Sequence, residues 1–387
     1  MLCNSNILEN FKNYSDLIVQ QAIDGYSVLP HTIQSIVSIR RIIYDILNNK
    51  ISYPLLSKET LIVLAFDGIN FNIANSVWKT CSLFPLTSTF PSISSSAWLS
   101  SLTGMQVNEH YIPGVIFKKI ENLELMNVYT EHNITYNDNF LSTNIFSDAI
   151  ALGFEPYVIS GFLSNIRCFW KDQLVKNSEV IECKCDWNNI KFCTNKIYEC
   201  TIRELTQLLL KNKNKKRLLI WCFINTDDYI HKYGYDKAIE ICLQQFENAA
   251  LRLVRKGYNV IGYSDHGMVA NYSSKKLIAQ LDSLNSEHCE NIIGGAGRVR
   301  WFYPIRGQEN ILKQKLLAMF KDEAYILSQA DLHKKFILLM NSTISKQIGK
   351  IILIAKSHNF PSVDFENKFN HGALSIDEML IPLAIWS

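Results

Sequence analysis

Five short stretches of this chain are apolar without interruption, and they constrain its fold more than any other feature. They are "LIVLAF" (Leu61–Phe66), "YVIS" (Tyr157–Ser160), "LLIWCFI" (Leu218–Ile224), "NVIGY" (Asn259–Tyr263) and "KIILIA" (Lys350–Ala355). A strand with one wet face alternates polar and apolar residues, whereas a strand covered on both faces does not. The runs are also far shorter than the ~18 apolar residues of a membrane span, so no membrane partner is expected. Between them lie stretches of helical period. In Asp236–Lys256, for example, Ile239, Leu243, Phe246, Ala250 and Leu253 share one stripe. The pattern predicts an α/β fold with a mostly parallel central sheet flanked by helices on both faces.

The first 58 residues read differently. Apolar positions at helical spacing over His31–Leu47 predict a helical leader, residues 1–58, packed on a catalytic domain spanning 59–387. The stretch from Phe162 to Asn214 is rich in Cys, Lys and Asn and less regular, and is read as a small inserted cap region, about 162–214. A hydrophobic content of 48% with 19% charged residues fits a packed core rather than a disordered chain. A net charge of +3 and one short lysine cluster (Lys211–Lys216) argue against a nucleic-acid duplex as partner. The start of the chain has neither a basic segment nor an apolar one, so a cytoplasmic location with reduced cysteines is expected. Cys183, Cys185, Cys193 and Cys200 match no common zinc-finger or zinc-ribbon spacing.

In an open α/β sheet, functional groups collect beyond the carboxyl ends of the strands. Asp67-Gly68 follows "LIVLAF", and "NTDDYIHKYG", with Asp227 and His231, follows "LLIWCFI". "SDHG", with Asp265 and His266, follows "NVIGY", and "FNHGALSIDEM" near the C-terminus adds His371. Each has an ordinary explanation when taken alone: an Asp-Gly turn, a surface pair one helical turn apart, a satisfied polar histidine. Together they form a ligand set of carboxylates and imidazoles, which favours Zn²⁺ over Mg²⁺. Two divalent ions roughly 4 Å apart would activate a hydroxyl nucleophile. The serine-rich stretch "FPSISSSAWLSSLTG" (Phe90–Gly104) offers such hydroxyls at a helix start, where backbone N–H groups attract anions. Its other serines, Ser92, Ser95 and Ser96, read as capping and close packing.

The order Asp67-Gly68, "FPSIS…LTG", "DDYIHKYG", "SDHGM", "NHGALSIDEMLIPL" resembles the alkaline phosphatase superfamily. Within it the chain looks like the nucleotide pyrophosphatase/phosphodiesterase (type I phosphodiesterase) branch. The likeness runs from about Leu61 to Pro382, and "DGYSVLPHTIQSIV" is similar to the leader of bacterial members. The resemblance implies an alkaline-phosphatase-like fold and two Zn²⁺ ions, with other divalent ions as substitutes. One ion would be held by Asp227, His231 and His371, the other by Asp67, Asp265 and His266. The family nucleophile lies ten residues before the Gly of the "TG" pair, which is Ser94 here, with Thr89 and Ser95 as fallbacks. Val115, in "HYIPGV", stands where diesterases of this branch carry a phosphate-binding Asn. Arg298, in "GGAGRVRWFYP", is a candidate substrate contact, and that segment reads as a turn entering a core strand.

The expected activity is cleavage of phosphodiester or nucleotide pyrophosphate bonds through a phosphoseryl intermediate, on a small phosphate-ester substrate such as a nucleotide. The alternatives are a phosphomonoesterase, phosphonate or sulfate-ester hydrolase with the same machinery, or a metal-stabilised binding or scaffold protein.

Overall fold

The computed structural model describes residues 8, 11, 27–49, 59–132, 143–215, 217–335, 337–362 and 364–387. Most of the leader before residue 27, and residues 50–58, lie outside them. Numbered in chain order, the main sheet contains β1 (Leu61–Asp67), β2 (Ser82–Thr87), β5 (Glu155–Ile159), β6 (Glu179–Ile181), β7 (Leu218–Asn225), β8 (Asn259–Ser264) and β15 (Leu380–Trp386). A second sheet contains β3 (Ile116–Lys118), β4 (Leu125–Asn127), β10 (Cys289–Ala296), β11 (Val299–Pro304), β12 (Ala324–Ser328) and β13 (Ile351–Ala355). The short pair β9 (Val269–Ala270) and β14 (Phe369–Asn370) completes the set.

The main sheet runs β2-β15-β8-β1-β7-β5-β6, parallel from β8 to β6, with β15 antiparallel to both its neighbours. Every residue of β1, β7, β8 and β15 is buried, which explains their unbroken apolar runs. Side chains alternate across the sheet. Thus Leu61, Val63 and Ala65 join one core cluster while Ile62, Leu64 and Phe66 join the other. Helices cover both faces of this mostly parallel sheet, as expected.

Two expectations are corrected. "KIILIA" forms β13, which lies not in the main sheet but in the antiparallel second sheet, between β11 and β12. It too is covered on both faces, and an uninterrupted run reports burial, not the sheet to which a strand belongs. Likewise only Ile39–Leu47 of His31–Leu47 is α-helical, after a single 3₁₀ turn over Ile36–Ser38. The His31 ring accepts from the backbone N–H groups of Ile33 and Gln34, and Gln34 binds Pro85 and Thr87, so the chain bends there and meets β2 at Ser35 before the helix begins.

The segment 162–214 contains the 18-residue helix Thr194–Lys211, which packs on helix Lys237–Arg255, together with edge strand β6. The expectation of reduced cysteines fails at one pair within it: Cys185 and Cys200 form a disulfide, while Cys183 and Cys193 remain thiols. Segment Gly294–Pro304 is the end of β10, a turn and β11, as expected.

Candidate active site

Strands β8, β1 and β7 are adjacent and parallel, so their carboxyl ends open side by side. Asp67 is the last residue of β1. Asp265 and His266 come directly after β8, and Asp227 opens the helix Asp227–Tyr233 just past β7. That helix places His231 one turn from Asp227, with Nε2 3.2 Å from Asp227 Oδ2. It ends at Gly234 (φ +76°), where a Cβ would fall 2.3 Å from the Phe369 ring. Pairing of β14 with β9 carries His371 back beside His266, and their rings stack with centroids 3.7 Å apart.

Each histidine is oriented by a backbone carbonyl. His231 Nδ1 donates to Phe369 O (2.7 Å), His371 Nδ1 to Ser92 O (2.8 Å) and His266 Nδ1 to Gly267 O (3.2 Å). A carbonyl only accepts, so each Nδ1 carries a proton and each Nε2 is turned to the centre. Burial holds His266 and His371 below the ordinary imidazole range, so both rings are neutral. Their Nε2 lone pairs then face Asp265 Oδ2 at 3.2 Å and Asp227 Oδ1 at 3.7 Å. Those two carboxylate oxygens are buried and have no hydrogen-bond donor. Acceptor facing acceptor at such distances leaves a place for a shared proton or, in its stead, a cation.

The carboxylates carry the same mark. Burial, then Asp265 and Asp227, pushes Asp67 well above the carboxylate range. Burial and Asp227 raise Asp265 to about 8, although Gly68 N–H and His266 N–H donate to its Oδ1. At Asp227 the opposing effect of burial is overcome by the nearby histidines, His231 first, and its carboxyl is held low. At His231 burial is outweighed by Asp227, which lifts the ring to about 9. A metal held there would take the place of that proton. Asp227, His231 and His371 converge within 4.8 Å, as do Asp67, Asp227 and His266, so Asp227 borders both groups. The donor set fits divalent cations.

Ser94 is the first residue of helix Ser94–Thr103, and the rest of that helix is buried. Its Oγ lies 3.0 Å from His266 Nε2 and 3.3 Å from Asp67 Oδ1. The other serines of the stretch are fully buried: Ser92 Oγ donates to Ala373 O, Ser96 Oγ to Ile112 O, and Ser101 Oγ meets Tyr263 OH. None caps the helix, whose cap residue is Ile93, so the capping expected of Ser92, Ser95 and Ser96 is replaced by packing. Thr89 donates to Pro91 O and is buried, like Ser95.

A cavity of about 310 Å³ opens on Ser94, Asp67, Asp227, Asp228 and Asn225, walled by Tyr129, Phe162, Leu163, Ile166, Trp170 and Phe223. Neither Lys nor Arg is among the described residues lining it. Val115 is half-buried beside β3 and does not line it. Arg298, expected as a substrate contact, is 2% exposed, and its guanidinium is bound to Glu378 and Ser357 O. Tyr129, Trp170 and Asn225 escaped the sequence reading because a wall assembled from distant segments has no local spacing.

A carboxylate–imidazole cluster beside the Ser94 hydroxyl, at the carboxyl edge of an alkaline-phosphatase-like sheet, is the arrangement of a phosphoester hydrolase. Residues 61–372 match the type I phosphodiesterase / nucleotide pyrophosphatase family, and the chain belongs to it. No curated protein sequence matches the chain. Among solved structures it is similar to murine ectonucleotide pyrophosphatase / phosphodiesterase 5 (15% identity, TM-score 0.57, covering 85% of this chain and 88% of that one). It is also similar to phosphonoacetate hydrolase from Sinorhizobium meliloti (15%, 0.59, 87% and 92%). A third similar structure is wild-type alkaline phosphatase PafA (11%, 0.59, 87% and 92%).

Proposed function

We propose that this chain is a two-zinc hydrolase that cleaves phosphodiester or nucleotide pyrophosphate bonds through a phosphoseryl intermediate on Ser94. One observation carries the reading. The single half-exposed serine of the stretch stands within 3.3 Å of two metal-ligand candidates and faces the cavity. Asp227, His231 and His371 would hold one ion, and Asp67, Asp265 and His266 the other. When bound, the ions supply positive charge that lowers the pKa of a neighbouring hydroxyl or water and neutralises phosphoryl oxygens.

Ser94 Oγ forms the bond to phosphorus while the bond from phosphorus to the leaving oxygen breaks, and the serine proton passes to solvent. The oxygen of a water then bonds to phosphorus, the bond to Oγ breaks, and the serine regains a proton. Helix Ser94–Thr103 has no side-chain cap, so its amino end favours the substrate's anionic oxygens. A monoester brings two negative charges and a diester one. With no Lys or Arg among the described lining residues, the cavity suits the diester, and its aromatic wall suits an esterified nucleoside or aryl group. Of similar proteins, an inactive form of the murine phosphodiesterase 5 is known in complex with AMP.

Turnover of bis(p-nitrophenyl) phosphate against p-nitrophenyl phosphate tests the ranking. The diester should lead in kcat/KM by roughly tenfold or more, about 1.4 kcal/mol. Preference for the monoester would shift the assignment to a phosphomonoesterase, and inactivity on both with zinc bound would favour a binding protein.

A further inference from the structure

The buried pair formed by Arg298 and Glu378 touches neither Ser94 nor the cavity, yet its hydrogen bonds run to loops that carry candidate ligands. Glu378 is fully buried in the short helix Ile376–Met379. Its Oε1 accepts from Arg298 Nε (3.0 Å) and Ala373 N–H (2.9 Å), and its Oε2 from the Ser375 hydroxyl (2.6 Å). Its backbone carbonyl accepts from Gly267 N–H at 3.0 Å, one residue beyond His266. Arg298 in turn donates its backbone N–H to His371 O (2.8 Å) and its Nη1 to Ser357 O (3.1 Å).

The fit around His371 is close on all sides. A Cβ at Gly297 would lie 2.3 Å from His371 O, and one at Gly267 would lie 2.0 Å from Asp377 O. Ala373 O accepts from Ser92 Oγ, and Ser92 O holds His371 Nδ1, so the same network reaches the approach to Ser94. A buried ion pair contributes little net stability against an apolar replacement. This one ties Ala373, two residues past His371, to residues whose own backbones bond His371 O and Gly267 N–H, and so has a different use: it fixes where the ligands stand.

We propose that Glu378 and Arg298 are positioning residues for the metal centre, holding His371 and the His266–Gly267 turn at their binding distances before a cation arrives. The proposal rests on the two-metal reading above. Outer partners of metal ligands set affinity, and their loss costs roughly 10–100-fold.

The test is zinc binding by the full-length chain, measured by competition with a chromophoric chelator, alongside the melting temperature of the metal-stripped protein. Glu378→Gln, which preserves shape but removes the charge, should bind zinc roughly 10–100-fold more weakly per folded molecule. It should lower kcat through reduced metal occupancy, with activity restored by excess zinc. Ser375→Ala removes the bond to Oε2 and the acceptor for Glu378 N–H but leaves the Glu378 charge and Arg298 in place; it should weaken zinc binding in the same direction, which keeps the test usable if Glu378→Gln does not fold. Native zinc affinity in the folded variants, with only a lower melting temperature, would overturn the positioning role alone. Failure of the unaltered chain to bind zinc would overturn the two-metal reading and this proposal with it.

Discussion

His371 uses its two ring nitrogens differently, one proton given to Ser92 O and one lone pair aimed at Asp227, and His266 does likewise with Gly267 O and Asp265. Ser94 lies among these oriented groups with two acceptors and one proton. Ser94→Ala removes the nucleophile and none of the proposed ligands. Turnover should fall by on the order of 10³ or more, with two zinc ions per chain still found by atomic absorption. Near-native turnover would mean that another group attacks. The six candidate ligands stood out in the sequence because they lie at or just past apolar runs or in short motifs, and the fold brings these positions to one edge of the sheet. The role of Arg298 was not, since its partner Glu378 is 80 residues away and a sequence shows an arginine but not what neutralises it.

Elements explain why so many hydroxyls share one helix. Ser94–Thr103 is buried on nearly every side, with Trp98 set edge-on against Trp221, Phe223 and Tyr263. Small hydroxyls fit that crowding and most find a carbonyl, His110 or Tyr263 as partner, so the stretch is both a core helix and the support of Ser94. Helix Lys237–Arg255 shows the same coupling of local chemistry to the site. Its cap, Asp236, accepts from Ala238 and Ile239 N–H, and also from Tyr229 OH of the helix that bears Asp227 and His231. Asp236→Ala should cost about 1 kcal/mol of stability, read from the midpoint of urea unfolding. An unchanged midpoint would show the cap to be idle. This helix was visible in the sequence from its apolar stripe, whereas the sheet that takes "KIILIA" was not, because strand partners are chosen by long-range contacts that leave no local period.

The whole molecule brings together four distant stretches of chain, 67, 227–231, 265–266 and 371, by placing β8, β1 and β7 side by side and closing the site with the β9–β14 pair. Buried Asp67 and Asp265 and half-buried Asp227 crowd one another, which with burial raises Asp67 and Asp265 above the ordinary carboxylate range. A divalent cation among them would offset that repulsion, so bound metal should stabilise the folded chain. No helix among the described residues is long and apolar enough to cross a membrane. Anomalous diffraction at the zinc edge, from crystals of the full chain grown with zinc, addresses the central claim most directly. The account predicts two peaks beside Ser94 Oγ, one among Asp227, His231 and His371 and one among Asp67, Asp265 and His266. A centre with no peak there, or zinc bound only elsewhere on the chain, would contradict it.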